Sequence, residues 1–146
     1  MSKPLTRSRV AKIAGCSVNT IDHYSREGLI QAAYDPKQQG KAREFSVGDV
    51  FQILLVKQLF KAGIGIEDIR EYVSSRLNPV NVGFVRQKGS TKREVITIYD
   101  HGDGNISIEH EMTDERGRVR VDMGNCQRAI VIDVTEIRDR VEEFSL

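Results

Sequence analysis

Ser17, Asn19 and Thr20 put two small hydroxyls and a carboxamide on one short stretch, and Tyr24 and Arg26 follow one to two helical turns later. No phosphate loop, nucleophile elbow or carboxylate pair with a supporting base accompanies them. The chemistry on offer is therefore hydrogen bonding, not bond making. A carboxamide or small hydroxyl can pair with base edges in a major groove, and a phenol or guanidinium can reach phosphate. The stretch from Cys16 to Ile30 predicts a short helix with this polar leading edge. Ser17 is its cap, Val18, Ile21 and Leu29 tie it to a core, and Gly28 fits the position just past its end. The first turn of such a helix turns unpaired backbone N–H groups and a positive dipole end toward an anion.

The elements that must position this helix come before and after it. Thr6 or Ser8 can cap a first helix, with Val10, Ile13 and Ala14 as its apolar stripe and Gly15 as its stop. Two short helices about a turn at Gly15-Cys16 form a helix-turn-helix arrangement. Residues 31–45 are polar and turn-rich, and they predict a β-wing of two short strands between Leu29-Ile30 and Phe45. Lys37, Lys41 and Arg43 would meet a phosphate backbone from that wing. A solvated surface loop with ordinary basic residues is the alternative, and composition leaves both open. Ser46 starts a third helix with Asp49 as a capping-box-like partner. Apolar residues from Val50 to Phe60 surround it almost completely, so it is buried or serves two surfaces. Gly63 closes it. Ile66, Ile69, Tyr72, Val73 and Leu77 mark a fourth helix, stopped at Asn78-Pro79.

In order and spacing, these pieces resemble the MerR family of bacterial winged-helix transcription regulators. The matching residues are Val10 to Gly15, Ser17 to Ile21, Tyr24, Gly28 to Ile30, Arg43 to Ser46, Asp49-Val50, Leu59 to Gly63 and Ile66 to Ile69, over about residues 8–74. The resemblance implies a winged helix-turn-helix that reads operator DNA as a symmetric dimer, with Ser17, Asn19, Thr20, Tyr24 and Arg43 at or near the double-stranded DNA. It also implies promoter activation through bent or untwisted DNA. The family usually has an arginine just after Thr-Ile and an aromatic after that, where this chain has Asp22 and His23. An acid beside DNA repels phosphate unless it accepts from a cytosine amino group or pairs with a neighbour such as Arg26. Lys12 and Arg26 are candidates to supply the missing charge.

The family's long coiled-coil helix is absent after residue 78. The pattern there changes to period two. Val95, Thr97 and Tyr99 alternate with Ile96 and Ile98; Ile106 to Met112 and Val119 to Met123 alternate with polar residues. Turn signals fall at Lys88-Gly89-Ser90, 100–105, 114–117 and Gly124-Asn125. An antiparallel meander of four or five strands is expected, with Val82 to Arg86 as a possible first and Ala129 to Ile132, apolar on both faces, as a central one. Thr135 is the expected cap of a last helix, with Ile137, Val141 and Phe144 as the stripe that would cover one sheet face. The predicted fold is thus α+β: a winged helix-turn-helix over 1–78 and a small antiparallel meander with a C-terminal helix over 79–146. The second domain would join a homodimer, since one winged helix binds weakly and a pair reads two half-sites.

Cys126 with His101 and His110 invites metal sensing, but their spacing is not that of a ligand pair. Cys126 is expected as a small core residue, His110 as a satisfied core histidine and His101 as a solvated turn residue. No metal or cofactor is expected. Residues 100–105 resemble a calcium loop only superficially, and a hairpin turn explains them better. Arg118 and Arg120 are expected to pair across strands with Glu109 and Glu111.

Composition fits a soluble globular chain, with 39% hydrophobic and 29% charged residues among 146. No run of about 20 apolar residues is present to span a membrane, and Met1 to Arg7 lack a secretory core. Two cysteines, Cys16 and Cys126, make no disulfide framework, and a cytoplasmic, nucleoid-associated protein is expected. Residues 1–78 carry 12 Lys and Arg against 8 Asp and Glu, and residues 79–146 carry 10 against 13. The basic half suits a polyanion. The reading is a non-enzymatic, sequence-specific transcription regulator on a pseudo-palindromic site. Its rivals are an excisionase-like architectural factor and a ligand- or protein-sensing module centred on the C-terminal sheet; whether a small effector exists is left open.

Overall fold

The structure is a computed structural model and describes residues 5–30, 44–75 and 91–145. The chain divides into two compact units, Met1–Val73 together with Ile137–Leu146, and Ser74–Glu136. Among the described residues no helix is long and apolar enough to cross a membrane.

The first unit starts with β1 (Leu5–Thr6), which leads directly into α1 (Arg7–Ala14). Thr6 caps α1, its Oγ1 accepting from the Arg9 N–H at 3.2 Å. Val10, Ile13 and Ala14 are buried, as the spacing predicted, and Ala11 is buried with them. Gly15 ends the helix at φ +67°, a left-handed conformation in which glycine meets no Cβ penalty. Helix α2 (Val18–Arg26) follows, and then β2 (Glu44–Phe45). β2 pairs antiparallel with β1, Leu5 opposite Phe45 and Thr6 opposite Glu44. This pairing was not expected, because a two-residue strand carries no period-two signal. The predicted wing lies, except for its end at Glu44-Phe45, outside the described residues.

Helix α3 (Val47–Lys61) has the full capping box: Ser46 Oγ accepts from the Asp49 N–H at 3.1 Å, and Asp49 Oδ2 accepts from the Ser46 N–H at 2.9 Å. Val50, Ile53, Leu55, Val56 and Leu59 are almost wholly buried, so it forms the axis of this unit. Helix α4 (Ile66–Val73) buries Ile69 and Tyr72. Leu77 and the stop at Asn78-Pro79 lie outside the described residues.

The second unit holds a three-stranded antiparallel sheet of order β4-β3-β5, built from β3 (Glu94–Gly102), β4 (Asn105–Met112) and β5 (Arg128–Asp133). A two-residue turn joins β3 to β4. Asp103 and Gly104 both have positive φ, 54° and 78°, as the right-handed twist of a hairpin favours. The register puts Ile96 between His110 and Ile132, and Ile98 between Ile108 and Ile130, so the apolar positions share one face. Glu94 to Tyr99 are buried on both faces, which makes β3 the central strand. The expectation that Ala129 to Ile132 is central is therefore corrected: β5 is at one end of the described sheet, and Val131 is 43% exposed.

The segment after β4 also departs from expectation. Residues 118–123 form no strand. Asp114 instead organises a turn, its carboxylate accepting from the N–H groups of Arg116 and Arg118 at 2.9 and 2.8 Å, and those bonds hold its carboxyl below the usual range. Arg118 pairs with Asp114, not with β4. Glu109 and Glu111 face each other along β4. Loss of solvent and the neighbouring Glu109 push the Glu111 carboxyl up. The segment 82–86 lies outside the described residues.

The last helix, α5 (Val134–Ser145), also departs from expectation. Asp133, not Thr135, supplies its cap, with Oδ1 accepting from the Glu136 N–H at 3.2 Å. Thr135 is buried and accepts from the Glu94 N–H at 2.6 Å. From Ile137 onward the helix belongs to the first unit, where Arg138 lies 4.7 Å from the Phe51 ring centroid and Arg140 donates to the Ile13 carbonyl at 3.1 Å. Ile137 and Val141 of the expected stripe are buried, and the Phe144 side chain lies outside what the structure describes.

Thr97 is wholly buried in the central strand, and its hydroxyl has no hydrogen-bond partner among the described residues. Replacing it with valine keeps the shape and removes an unpaired polar atom. Thr97→Val should raise the unfolding free energy by about 1 kcal/mol in urea titration; a destabilised variant would show that the hydroxyl is satisfied in solution.

Candidate nucleic-acid interface

Ser17 takes an extended backbone (φ −85°, ψ 159°) and starts α2 as its N-cap. Its Oγ accepts from the Thr20 N–H at 3.1 Å and shares a hydrogen bond of 2.9 Å with the Thr20 Oγ1. The two hydroxyls expected to reach DNA are thus partly engaged with each other. Asn19 lies between them, exposed and with no hydrogen-bond partner among the described residues. Asn19, His23 and Arg26 follow at i, i+4 and i+7, and all three are exposed, so they form one outward stripe of α2. Lys12 on α1 is exposed as well.

Tyr24, expected to offer its hydroxyl to phosphate, has its ring inside the unit. Its side chain is 7% exposed, and its ring stacks on Phe60 with centroids 5.6 Å apart. Burial pushes its hydroxyl pKa up, and the nearby Cys16 adds to this. Its first role is packing, because Tyr24 falls on the same helical face as Ile21. Lys41 and Arg43 lie outside the described residues.

Asp22 is half-buried and held by Arg7, whose Nη1 lies 3.0 and 3.1 Å from the two carboxylate oxygens. The partner is therefore Arg7 and not Arg26, which leaves Arg26 without an ion pair among the described residues. No sequence signal connects positions 15 residues apart on different helices.

Long cations tie down the turn before α2 and the cap after it. On the entry side, Lys57 of α3 donates from Nζ to the Ala14 and Gly15 carbonyls, both at 3.0 Å. On the exit side, Arg70 of α4 donates from Nε to the Glu27 carbonyl at 2.8 Å and from Nη2 to the Glu27 carboxylate at 2.9 Å. Cys16, between the first two helices, has its thiol pushed up by burial, with Lys57 opposing.

In the second unit, His110 is the satisfied core histidine that its place on the apolar face suggested. It lies 2.7 Å from Glu94, both side chains being 4% exposed. His101 and Cys126 were expected apart, one solvated and one in the core, yet the structure brings them to 3.3 Å. Among the described residues no three His, Cys, Asp or Glu side chains gather as a metal set.

Residues 5–76 match the family described as MerR HTH family regulatory protein. The mercuric resistance operon regulatory protein of Shigella flexneri is 34% identical over 67 residues, covering 46% of this chain and 45% of that protein. This chain thus spans less than half the length of the curated relative it matches. A crystal structure of HiNmlR, a MerR family regulator lacking the sensor domain, bound to promoter DNA, is 24% identical. That likeness covers 49% of this chain and 56% of the other, with a TM-score of 0.42.

Ser17→Ala tests the local architecture. Loss of the cap should cost about 1 kcal/mol in thermal or urea unfolding, and an unchanged stability would mean that Ser17 does not start the helix. The outward stripe, the capped leading edge and the match over 5–76 agree on one conclusion: residues 5–76 are a helix-turn-helix regulatory domain of the MerR family.

Proposed function

We propose that the protein is a sequence-specific DNA-binding transcription regulator that acts by binding and not by catalysis, as a homodimer on a pseudo-palindromic site. The observation that carries this reading is Asn19, exposed and without a hydrogen-bond partner among the described residues, on the first turn of a helix whose preceding turn and C-cap are tied down. A carboxamide there can pair bidentately with an adenine edge, while the first-turn N–H groups of α2 face phosphate. Ser17 and Thr20 hold the turn and offer their remaining hydrogen-bonding capacity to the backbone. Lys12 and Arg26 supply positive charge that the Arg7–Asp22 pair does not consume.

Lys41 and Arg43 would act from the wing, as phosphate contacts flanking the groove. The Tyr24 ring anchors the reading helix, which leaves its hydroxyl as the one part able to meet phosphate. Dimerisation is assigned to the C-terminal domain, with half-sites near one helical turn, or a multiple of it, apart.

Selection of bound fragments from random DNA, with sedimentation of the free protein, tests the whole reading. A dyad-symmetric consensus and a dimer are expected; a protein that retains no fragment at physiological salt would end it. Asn19→Ala should cost about 1–3 kcal/mol, confined to one base pair of each half-site. Arg43→Ala should weaken binding to all sequences alike and flatten the plot of log affinity against log salt by about one unit.

A further inference from the structure

The corner where β3 turns into β4 holds three reactive or polar side chains that the DNA reading does not use. The β3–β4 register shifts between Asp100 and Gly102, and His101 is the unpaired residue at that irregularity. An extra residue in a strand re-aims its side chain. His101 is placed so that Nε2 lies 2.8 Å from the Ser107 Oγ on β4 and Nδ1 lies 3.3 Å from the Cys126 Sγ. The Tyr99 ring lies alongside, 6.5 Å between centroids. Cys126 reaches this corner because Gln127 donates its N–H to the Asp100 carbonyl at 2.8 Å, while the Gln127 side chain packs over Gly102 so closely that a Cβ there would meet its Nε2 at 2.9 Å.

A thiol within hydrogen-bond reach of an imidazole, itself oriented by a third group, is the arrangement of an activated nucleophile. With the Nε2 proton directed at Ser107, Nδ1 is the nitrogen free to accept the thiol proton. His101 and Ser107 are exposed and Cys126 is half-buried, so a small reagent has access. Asp100 and Arg128, which flank His101 and Cys126 in the chain, pair with each other at 3.6 Å.

We propose that Cys126 is a nucleophilic thiol that takes small disulfides, with His101 as its base and Ser107 as the positioning residue. His101 removes the Cys126 proton. The sulfur attacks one sulfur of the disulfide, and its S–S bond breaks. The electron pair leaves on the second sulfur, which takes the proton back from His101 and departs as a thiol. Cys126 ends oxidised in a mixed disulfide while the departing half is reduced. Residues 74–136 hold no second cysteine, so no thiol in that unit reverses the adduct.

The test uses the full chain and its Cys16→Ser variant with two probes, dithiobis(nitrobenzoate) followed by absorbance and oxidised glutathione followed by intact mass. Cys126 should react about tenfold or more faster than Cys16 at pH 7, since rate follows thiolate fraction and access. His101→Asn should lower that rate about tenfold and move the pH–rate profile toward a free thiol near 8.5. Ser107→Ala should give a smaller change in the same direction, and Cys126→Ser should abolish the fast phase. The proposal is overturned if the fast phase belongs to Cys16, or if His101→Asn changes neither rate nor profile. Should that variant fail to fold, the unsubstituted protein decides: a profile that inflects where a free thiol does overturns the idea.

Discussion

The carbonyl groups that end α1 are the constraint on which the first unit turns. A helix end leaves four such acceptors without intrahelical partners. Here Gly15 swings the chain away, Lys57 answers two of the freed carbonyls and Arg140 a third. The chain then has two residues in which to reach Ser17, so the direction of α2 follows from how α1 is terminated. Arg70 repeats the device at the other end of α2. The outward stripe of Asn19, His23 and Arg26 is therefore carried by a helix whose position is set by α3 and α4. A site on a rigid element can hold its side chains within the tolerances that base recognition needs.

What the sequence disclosed about this unit was what is determined locally. The caps at Thr6, Ser17 and Ser46, the stops at Gly15, Gly28 and Gly63, and the apolar stripes of the four helices depend on residues within one turn of each other. They are present as far as the described residues reach, with Thr6 and not Ser8 as the first cap. What it did not disclose depends on pairs far apart in the chain. Arg7 with Asp22, Lys57 with Ala14, Arg70 with Glu27 and β1 with β2 join positions that no periodicity connects. Tyr24 shows the limit from the other side. Its residue type fits a phosphate contact, while its helical phase with Ile21 places the ring inside, a packing role that residue type alone does not announce.

The second unit shows the same division. The hairpin at Asp103-Gly104 was legible because a two-residue turn and strict alternation report the same register. The order of strands was not, since Ala129 to Ile132 and Val95 to Tyr99 are equally apolar and only the pairing shows which is central. Val119 to Met123 alternates as a strand would, yet the turn at Asp114 takes the chain elsewhere and leaves Met123 exposed. The Cys126–His101 contact was hidden for a similar reason. It needs the irregularity after Asp100 and the return of the chain to β5, and each lies beyond the reach of spacing arguments.

The order β4-β3-β5 has a kinetic consequence. β3 and β4 are joined by two residues, so their pairing closes on the microsecond scale of an ordinary hairpin. β5 must return across residues 113–127 to pair with the other edge of β3. That step is a loop closure whose entropy must be met before any ladder bond forms. The hairpin is thus the template and β5 the late arrival.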